Sequence, residues 1–218
     1  MMALLISSGR SGFTIMPKGA TLPLLILLIG LAVVAAGCQA FASAYQYKGS
    51  VLEPAAPLPD FELMAATGQP FHLSDVKGDI VLIYFGYTYC PDVCPLTMAD
   101  VRQALSGLEG RERVHVIFIS VDPERDTPEV LSRYLAAFDP SFIGLTDDFE
   151  QVKEVMKPYG AFAEKETVTD STVGYLVSHS ARLYLVTPEQ DLLLMYPFGF
   201  AVEDLRSDLA YLLSQETS

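Results

Sequence analysis

The stretch Ile80-Val81-Leu82-Ile83-Tyr84-Phe85-Gly86-Tyr87-Thr88-Tyr89-Cys90-Pro91-Asp92-Val93-Cys94-Pro95 decides how this chain is read. Its first six residues form an unbroken apolar run of strand length, as a strand covered on both faces requires. Two cysteines four positions apart follow directly, at the carboxyl end of that strand. Thiolate is a strong nucleophile and also the soft ligand that selects Cu(I) or zinc. The pair is therefore a redox couple, half of a metal site, or both. In a regular helix, Cβ atoms four residues apart lie about 5–6 Å from each other, whereas a disulfide wants about 3.5–4.5 Å. A turn supplies the closer spacing and can also splay two sulfurs around one metal. Proline steers the residue before it away from helical angles. Cys90 and Cys94 are thus expected to be extended or turn-like, with Cys94 the N-cap and Pro95 the first residue of the next helix. The helix N-terminus behind the turn favours the thiolate form.

Outward from this stretch, the pattern is α/β. Phe61-Glu62-Leu63 and Phe71-His72-Leu73 flank Thr67-Gly68-Gln69-Pro70, a hairpin signal. A helix is expected over 95–108, a second buried strand over 114–121, and a helix opened by Thr127 as N-cap with Pro128 next, running to about Phe138. A third helix spans 147–157 and ends at Pro158. Strands follow at 173–177, 181–186 and 192–196, and a closing helix at 202–213. Hairpin, strand, cysteine turn and helix is the order of thioredoxin-like redox proteins. In open α/β sheets the chemistry gathers at the carboxyl ends of strands, where Cys90 falls. That family, however, separates its cysteines by two residues, not three.

The chain has 218 residues and a formal charge of −13; residues 1–37 contain only Arg10 and Lys18, which leaves −15 on the rest. A domain so acidic is not a nucleic-acid binder, since phosphate contacts need Lys and Arg. Leu22 to Gly37 is almost wholly apolar, follows Lys18, and ends in Ala35-Ala36-Gly37-Cys38. A basic start, a short apolar run and small residues before a cut describe a secretory signal. The cysteine after Ala-Ala-Gly resembles a lipoprotein lipobox, with Ala35 where Leu is usual, and would make Cys38 a lipidated N-terminus. An uncleaved membrane anchor is the alternative, the apolar run being somewhat shorter than the ~20 residues a span needs. Residues 1–37 are read as signal peptide or anchor, 38–59 as a Pro-rich tether, and 60–218 as the folded domain. Either anchoring places that domain outside the cytoplasm, where disulfides persist.

Three blocks resemble the Sco (SenC-type) family of copper-binding, thioredoxin-like proteins: Tyr84 through Pro95, Ser120-Val121-Asp122-Pro123-Glu124-Arg125-Asp126-Thr127-Pro128, and Tyr175-Leu176-Val177-Ser178-His179-Ser180 continuing through Val186. The resemblance implies a thioredoxin-like fold with an N-terminal hairpin and a C-terminal β-hairpin insertion carrying a histidine ligand. It implies that Cys90, Cys94 and His179 bind copper; two thiolates and an imidazole suit Cu(I), and Cu(II) less comfortably. Cys90 and Cys94 would also form the redox disulfide. The implied role is a metallochaperone, not an enzyme. It would be tethered to the outer face of the inner membrane of a bacterial envelope and would deliver copper to the dinuclear centre of cytochrome c oxidase. Implied partners are the oxidase's copper-binding subunit, other periplasmic copper chaperones and thioredoxin-like reductases. A thiol–disulfide oxidoreductase acting on the recipient's cysteines is the rival reading, separated by whether His179 is needed. A peroxidase is weaker still, for want of its Thr/Cys and Arg arrangement.

Several positions carry a plainer reading beside the functional one. Asp122 and Asp126 are candidates for support behind the metal or for partner docking, but loop capping explains them as well. Phe85, Tyr87 and Tyr89 would shield a metal from water, with core packing the simpler account of Phe85. His72 and His115 read as structural or surface residues. Ser178 stands where the family commonly has Asp; in an extended stretch it would point away from His179. Tyr89 stands where many relatives have His, which removes an auxiliary ligand.

Overall fold

A computed structural model describes residues 45–167 and 174–215. The apolar runs become the centre of an eight-stranded mixed sheet. Its strands are β1 (Ser50–Pro57), β2 (Glu62–Ala65), β3 (Pro70–His72), β4 (Ile80–Gly86), β5 (Val114–Ser120), β6 (Ile143–Thr146), β9 (Arg182–Val186) and β10 (Asp191–Pro197), in the order β1-β10-β9-β4-β5-β6-β2-β3. β4, β5 and β6 run parallel, with Ile83 beside Ile117 and Ile117 beside Ile143. Every residue of β4 is buried, which is why its sequence does not alternate. The helices are α1 (Val93–Leu105), α2 (Pro128–Ala136), α3 (Phe149–Met156) and α4 (Val202–Gln215). α1 packs with α4, and α2 lies on β6. Gly144 permits that last contact, since a Cβ there would stand 2.7 Å from Leu131. Two further strands, β7 (Ala163–Thr167) and β8 (Tyr175–His179), form a separate antiparallel hairpin that carries His179.

The fold is α/β and thioredoxin-like, as expected, with the N-terminal hairpin formed by β2 and β3. Thr127 caps α2, its hydroxyl accepting from the Val130 amide, with Pro128 next. Three local expectations differ. The stretch read as tether contains β1, which pairs antiparallel with β10. Its prolines are tolerated because an edge strand has outward N–H groups that need no partner, and the pairing shifts register between Val51 and Ala56. β6 and β7 were not foreseen; four residues with a central glycine, and five that are mostly exposed and charged, carry too little periodicity. α1 begins two residues early, with Asp92 as N-cap, so Cys94 is helical and Pro95 is the third helical residue. First-turn amides have no intrahelical partner, so proline sacrifices no hydrogen bond there.

The segment 1–37 and Cys38 lie outside the described residues. Among the described residues, no helix is long and apolar enough to cross a membrane.

Candidate metal centre

Three elements converge at the carboxyl end of β4. The loop 87–92 and the first turn of α1 bring Cys90 and Cys94, and β8 brings His179. Both cysteines are free; Cys94 is fully buried and Cys90 partly exposed. In the first turn of α1 the Cys94 amide has no intrahelical partner, and it points at Cys90 Sγ from 3.5 Å. The Cys94 thiol donates to Cys90, and the amides of Asp92 and Cys94 and the nearby His179 add to it. Together, against partial burial, they hold Cys90 well below the ordinary thiol range, at about 5. Cys94 is pushed the other way, first by donating to Cys90 and then by burial. The pair thus holds one proton, kept on Cys94.

His179 Nε2 lies 3.5 Å from Cys94 Sγ. Its Nδ1 is 3.0 Å from the Val177 carbonyl, which can only accept. Nδ1 therefore carries the proton, and the lone pair of the neutral ring sits on Nε2, facing the sulfur. Donors bonded to one metal at about 2.3 Å (sulfur) and about 2.0 Å (nitrogen), at tetrahedral to trigonal angles, stand roughly 3.5–3.8 Å apart. Cys94 and His179 already have that separation. Among the described residues, however, no three Cys, His, Asp or Glu side chains stand in closed coordinating geometry; Cys90 Sγ is turned to the Cys94 amide.

Around this pair lie Tyr84, which the sequence did not single out, and the three aromatics that it did. Tyr84, fully buried on β4, points its hydroxyl at Cys94 Sγ from 3.7 Å. Burial and the adjacent sulfur keep that hydroxyl protonated. Tyr87 is buried edge-on to His179, with ring centroids 5.5 Å apart. Phe85 belongs to the core, against Tyr159 and Tyr184. Tyr89 is half exposed, and Arg125 lies over its ring at 4.9 Å.

Asp122 and Asp126 are both fully buried. Neither caps α2, which Thr127 does. Asp126 accepts from the Thr88 amide (3.0 Å), the Thr88 hydroxyl (2.5 Å) and the Ser120 hydroxyl (2.6 Å), tying the cysteine loop to the end of β5. Asp122 pairs with Arg125 and accepts from the Tyr175 hydroxyl at 2.7 Å. The signal for Tyr175 was present: on an extended strand, positions 175, 177 and 179 share a face. By the same alternation Ser178 faces away from His179. His72 Nε2 lies 3.4 Å from the Glu62 carboxylate and His115 Nε2 2.9 Å from that of Asp79, both remote from the cysteines in the fold.

A thioredoxin-like sheet that ends in a cysteine pair, met by a histidine on an inserted hairpin, defines a class of thiol- and metal-handling proteins. The SCO1/SenC family pattern matches residues 51–214, and the chain belongs to that family. It is 39% identical over 131 residues to the mitochondrial protein SCO2 of Saccharomyces cerevisiae, a match covering 59% of this chain and 44% of the yeast protein. The chain thus spans less than half of that relative's length. Among solved structures it resembles copper-bound ScoI of Arabidopsis thaliana (33% identity, TM-score 0.67, 73% of this chain and 99% of that one). It also resembles apo Sco1 of Thermus thermophilus (37% identity, TM-score 0.66, 80% and 99%). Its fold is also that of BsSco (22% identity, TM-score 0.60, 79% of this chain and 98% of that one), which is described as a member of the Sco family of cytochrome c oxidase assembly proteins.

Proposed function

We propose that this protein is a copper metallochaperone that holds one Cu(I) through Cys90, Cys94 and His179 and passes it to the dinuclear copper centre of cytochrome c oxidase. The observation that carries this reading is the 3.5 Å approach of His179 Nε2 to Cys94 Sγ, with Nδ1 tied to the Val177 carbonyl. A histidine kept only for packing has no need of that orientation, whereas a ligand needs its second nitrogen tied down. Cys90 completes the set by turning its sulfur from the Cys94 amide. Three donors leave a coordination position open, through which a recipient's ligand can displace the metal. Copper-bound ScoI structures support the cargo, and the recipient is the one that the resemblance of the three sequence blocks implies. In this reading Cys38 is the lipidated N-terminus or residues 1–37 are the anchor, and the domain works outside the cytoplasm; mass spectrometry of the membrane-extracted protein distinguishes the two.

A second reading has its own support. Cys90 is a partly exposed thiolate beside a protonated Cys94, an arrangement suited to attacking a disulfide and resolving the mixed disulfide. Exchange needs only the cysteines; copper retention needs His179 as well. The test is copper content of the reduced protein with Cys90→Ser, Cys94→Ser or His179→Ala, read beside oxidase copper content in cells carrying each as sole copy at low copper. The expected result is one copper per chain in the wild type, and loss of tight binding in all three variants. His179→Ala keeps its disulfide chemistry but fails to mature the oxidase. Normal oxidase assembly in the His179→Ala strain would leave the exchange reading standing.

A further inference from the structure

His179 rides on the hairpin of β7 and β8, which forms a sheet of its own beside the eight-stranded one. The cysteines stand on the rigid β4–α1 unit. Something must therefore fix the hairpin against that unit, and one side chain joins all the parts. Arg125, in the loop after β5, stacks over the Tyr175 ring of β8 at 3.8 Å and donates to the Tyr175 carbonyl at 3.1 Å. Its ion-pair partner, the fully buried Asp122, accepts from the Tyr175 hydroxyl. One tyrosine is thus held by its ring, its carbonyl and its hydroxyl. The same guanidinium reaches the cysteine loop, with the Tyr89 ring at 4.9 Å and the Tyr87 ring at 5.7 Å. Tyr87 in turn meets the His179 ring. Lys165 of β7 reinforces the same point, 5.1 Å over Tyr175 and ion-paired with Glu124 at 2.6 Å.

Tyr175, Val177 and His179 alternate on one face of β8, so the clamped tyrosine and the histidine lie about 13 Å apart along a single straight strand. Val177, between them, is buried. Fixing Tyr175 therefore fixes the line along which His179 approaches Cys94. We infer that Arg125 is a positioning residue for His179: it touches neither sulfur nor imidazole, and clamps the hairpin so that Nε2 faces the cysteine pair. The inference rests on the copper reading of the site for its consequence, though not for its geometry. A lysine would keep the charge but lose the flat guanidinium that lies over the Tyr175 ring while bonding at its edge.

The test uses the full chain with Arg125→Met, Arg125→Lys and Tyr175→Leu. The first readout needs no metal: hydrogen exchange of the amides at 175–179. The second is spectroscopic: the imidazole-nitrogen coupling in the electron paramagnetic resonance of the Cu(II)-loaded protein, compared with His179→Ala. In Arg125→Met, exchange at 175–179 should be faster by roughly tenfold or more, the strength of such a clamp. Its nitrogen coupling should weaken toward that of His179→Ala. Arg125→Lys should fall between. If Arg125→Met does not fold, because it strands Asp122, Tyr175→Leu keeps that ion pair and decides instead. Wild-type exchange together with wild-type nitrogen coupling in the variants would overturn the inference. If the wild type itself binds no copper, or shows no coupling that depends on His179, the copper reading fails. The clamp is then judged by exchange alone, where no change overturns it.

Discussion

Replacing Asp126 by Ala tests whether the cysteine loop is held from behind by this carboxylate. Three donors converge on it: the Thr88 amide, the Thr88 hydroxyl and the Ser120 hydroxyl, at 3.0, 2.5 and 2.6 Å. Hydrogen bonds to a charged group contribute about 1.5–3 kcal/mol each, and a buried donor left without a partner costs about 1–3 kcal/mol. Ser120 is fully buried and cannot turn to water; Thr88 is only partly buried and recovers some hydration. Against this stands relief from burying a carboxylate, which pushes the Asp126 acid up despite those bonds. The net expected loss is about 2–4 kcal/mol. With a urea slope of roughly 2 kcal/mol/M, the midpoint of the reduced, metal-free protein should fall by about 1–2 M. The sign with pH is also fixed. A carboxyl raised in the folded state stabilises below its unfolded value and loses that contribution as pH rises through its folded value. The penalty for Asp126→Ala should therefore be larger at acid pH than at neutral pH. Thr127→Ala is the control, since its cap bond is long at 3.4 Å and should cost no more than about 1 kcal/mol. If Asp126→Ala costs no more than Thr127→Ala, the tie to Thr88 and Ser120 contributes nothing and the reasoning fails.

Alkylation of Cys90 in the reduced, metal-free protein should be half-maximal near pH 5 and level above pH 7, because the thiolate persists until pH falls through about 5. A midpoint near the ordinary thiol value of about 8.5 would contradict the proton-sharing pair. Gly86→Ala should cost about 1–3 kcal/mol by overpacking: a Cβ there would stand 2.7 Å from the Tyr84 ring and 2.9 Å from Phe118. Its chemical denaturation curve checks this. Tyr84→Phe removes the hydroxyl facing Cys94. A thiolate freed of a hydrogen bond donates more strongly, so the sulfur-to-Cu(II) charge-transfer band should move to lower energy; an unmoved band would show that the hydroxyl does not act on the sulfur. Starting the chain at residue 60 removes β1 and the backbone amides of Lys48 and Gly49 that bind Asp208. Urea unfolding should then show a lower midpoint than for the chain from residue 46.

The centre of the fold was legible because burial on both faces leaves a mark that needs no neighbours to interpret. Ile80 to Phe85 and Val114 to Val121 can hardly be anything but interior strands. The edges were not legible. Pro54 and Pro57 argue locally for an extended linker, and only the partner β10 turns that extended chain into a strand. The start of α1 was misplaced because the proline rule describes a preference of isolated backbone. Helix packing and free first-turn amides overrode it at Cys94. Of the candidate site, the residues with chemistry of their own, Cys90, Cys94 and His179, could be named from the three blocks. Of those that act through others, Asp122, Asp126 and Tyr87 could be named as candidates, but Tyr84 and Arg125 could not. Nothing in the local sequence of Tyr84 distinguishes it from Phe85, although one points to Cys94 and the other into the core.

Arg125 was hidden for a related reason. A charged residue between Glu124 and Asp126 reads as part of a solvated loop, and its partners come from segments 36 residues before it and 50 after it: Tyr89 in the cysteine loop and Tyr175 on the hairpin. Only the folded chain makes those one contact. The arrangement divides the site into parts of different stiffness. The cysteines belong to the strand and helix that every thioredoxin-like sheet holds rigidly, and their shared proton is set first by the hydrogen bond between them and then by the backbone amides of Asp92 and Cys94. The histidine belongs to a hairpin whose attachment is made by side chains, which can be loosened without unfolding the sheet. A protein that only exchanged disulfides would gain nothing from such an attachment. One that must first retain a metal and then surrender it gains a ligand whose departure costs a few side-chain contacts, leaving the two sulfurs in place for the recipient to displace in turn.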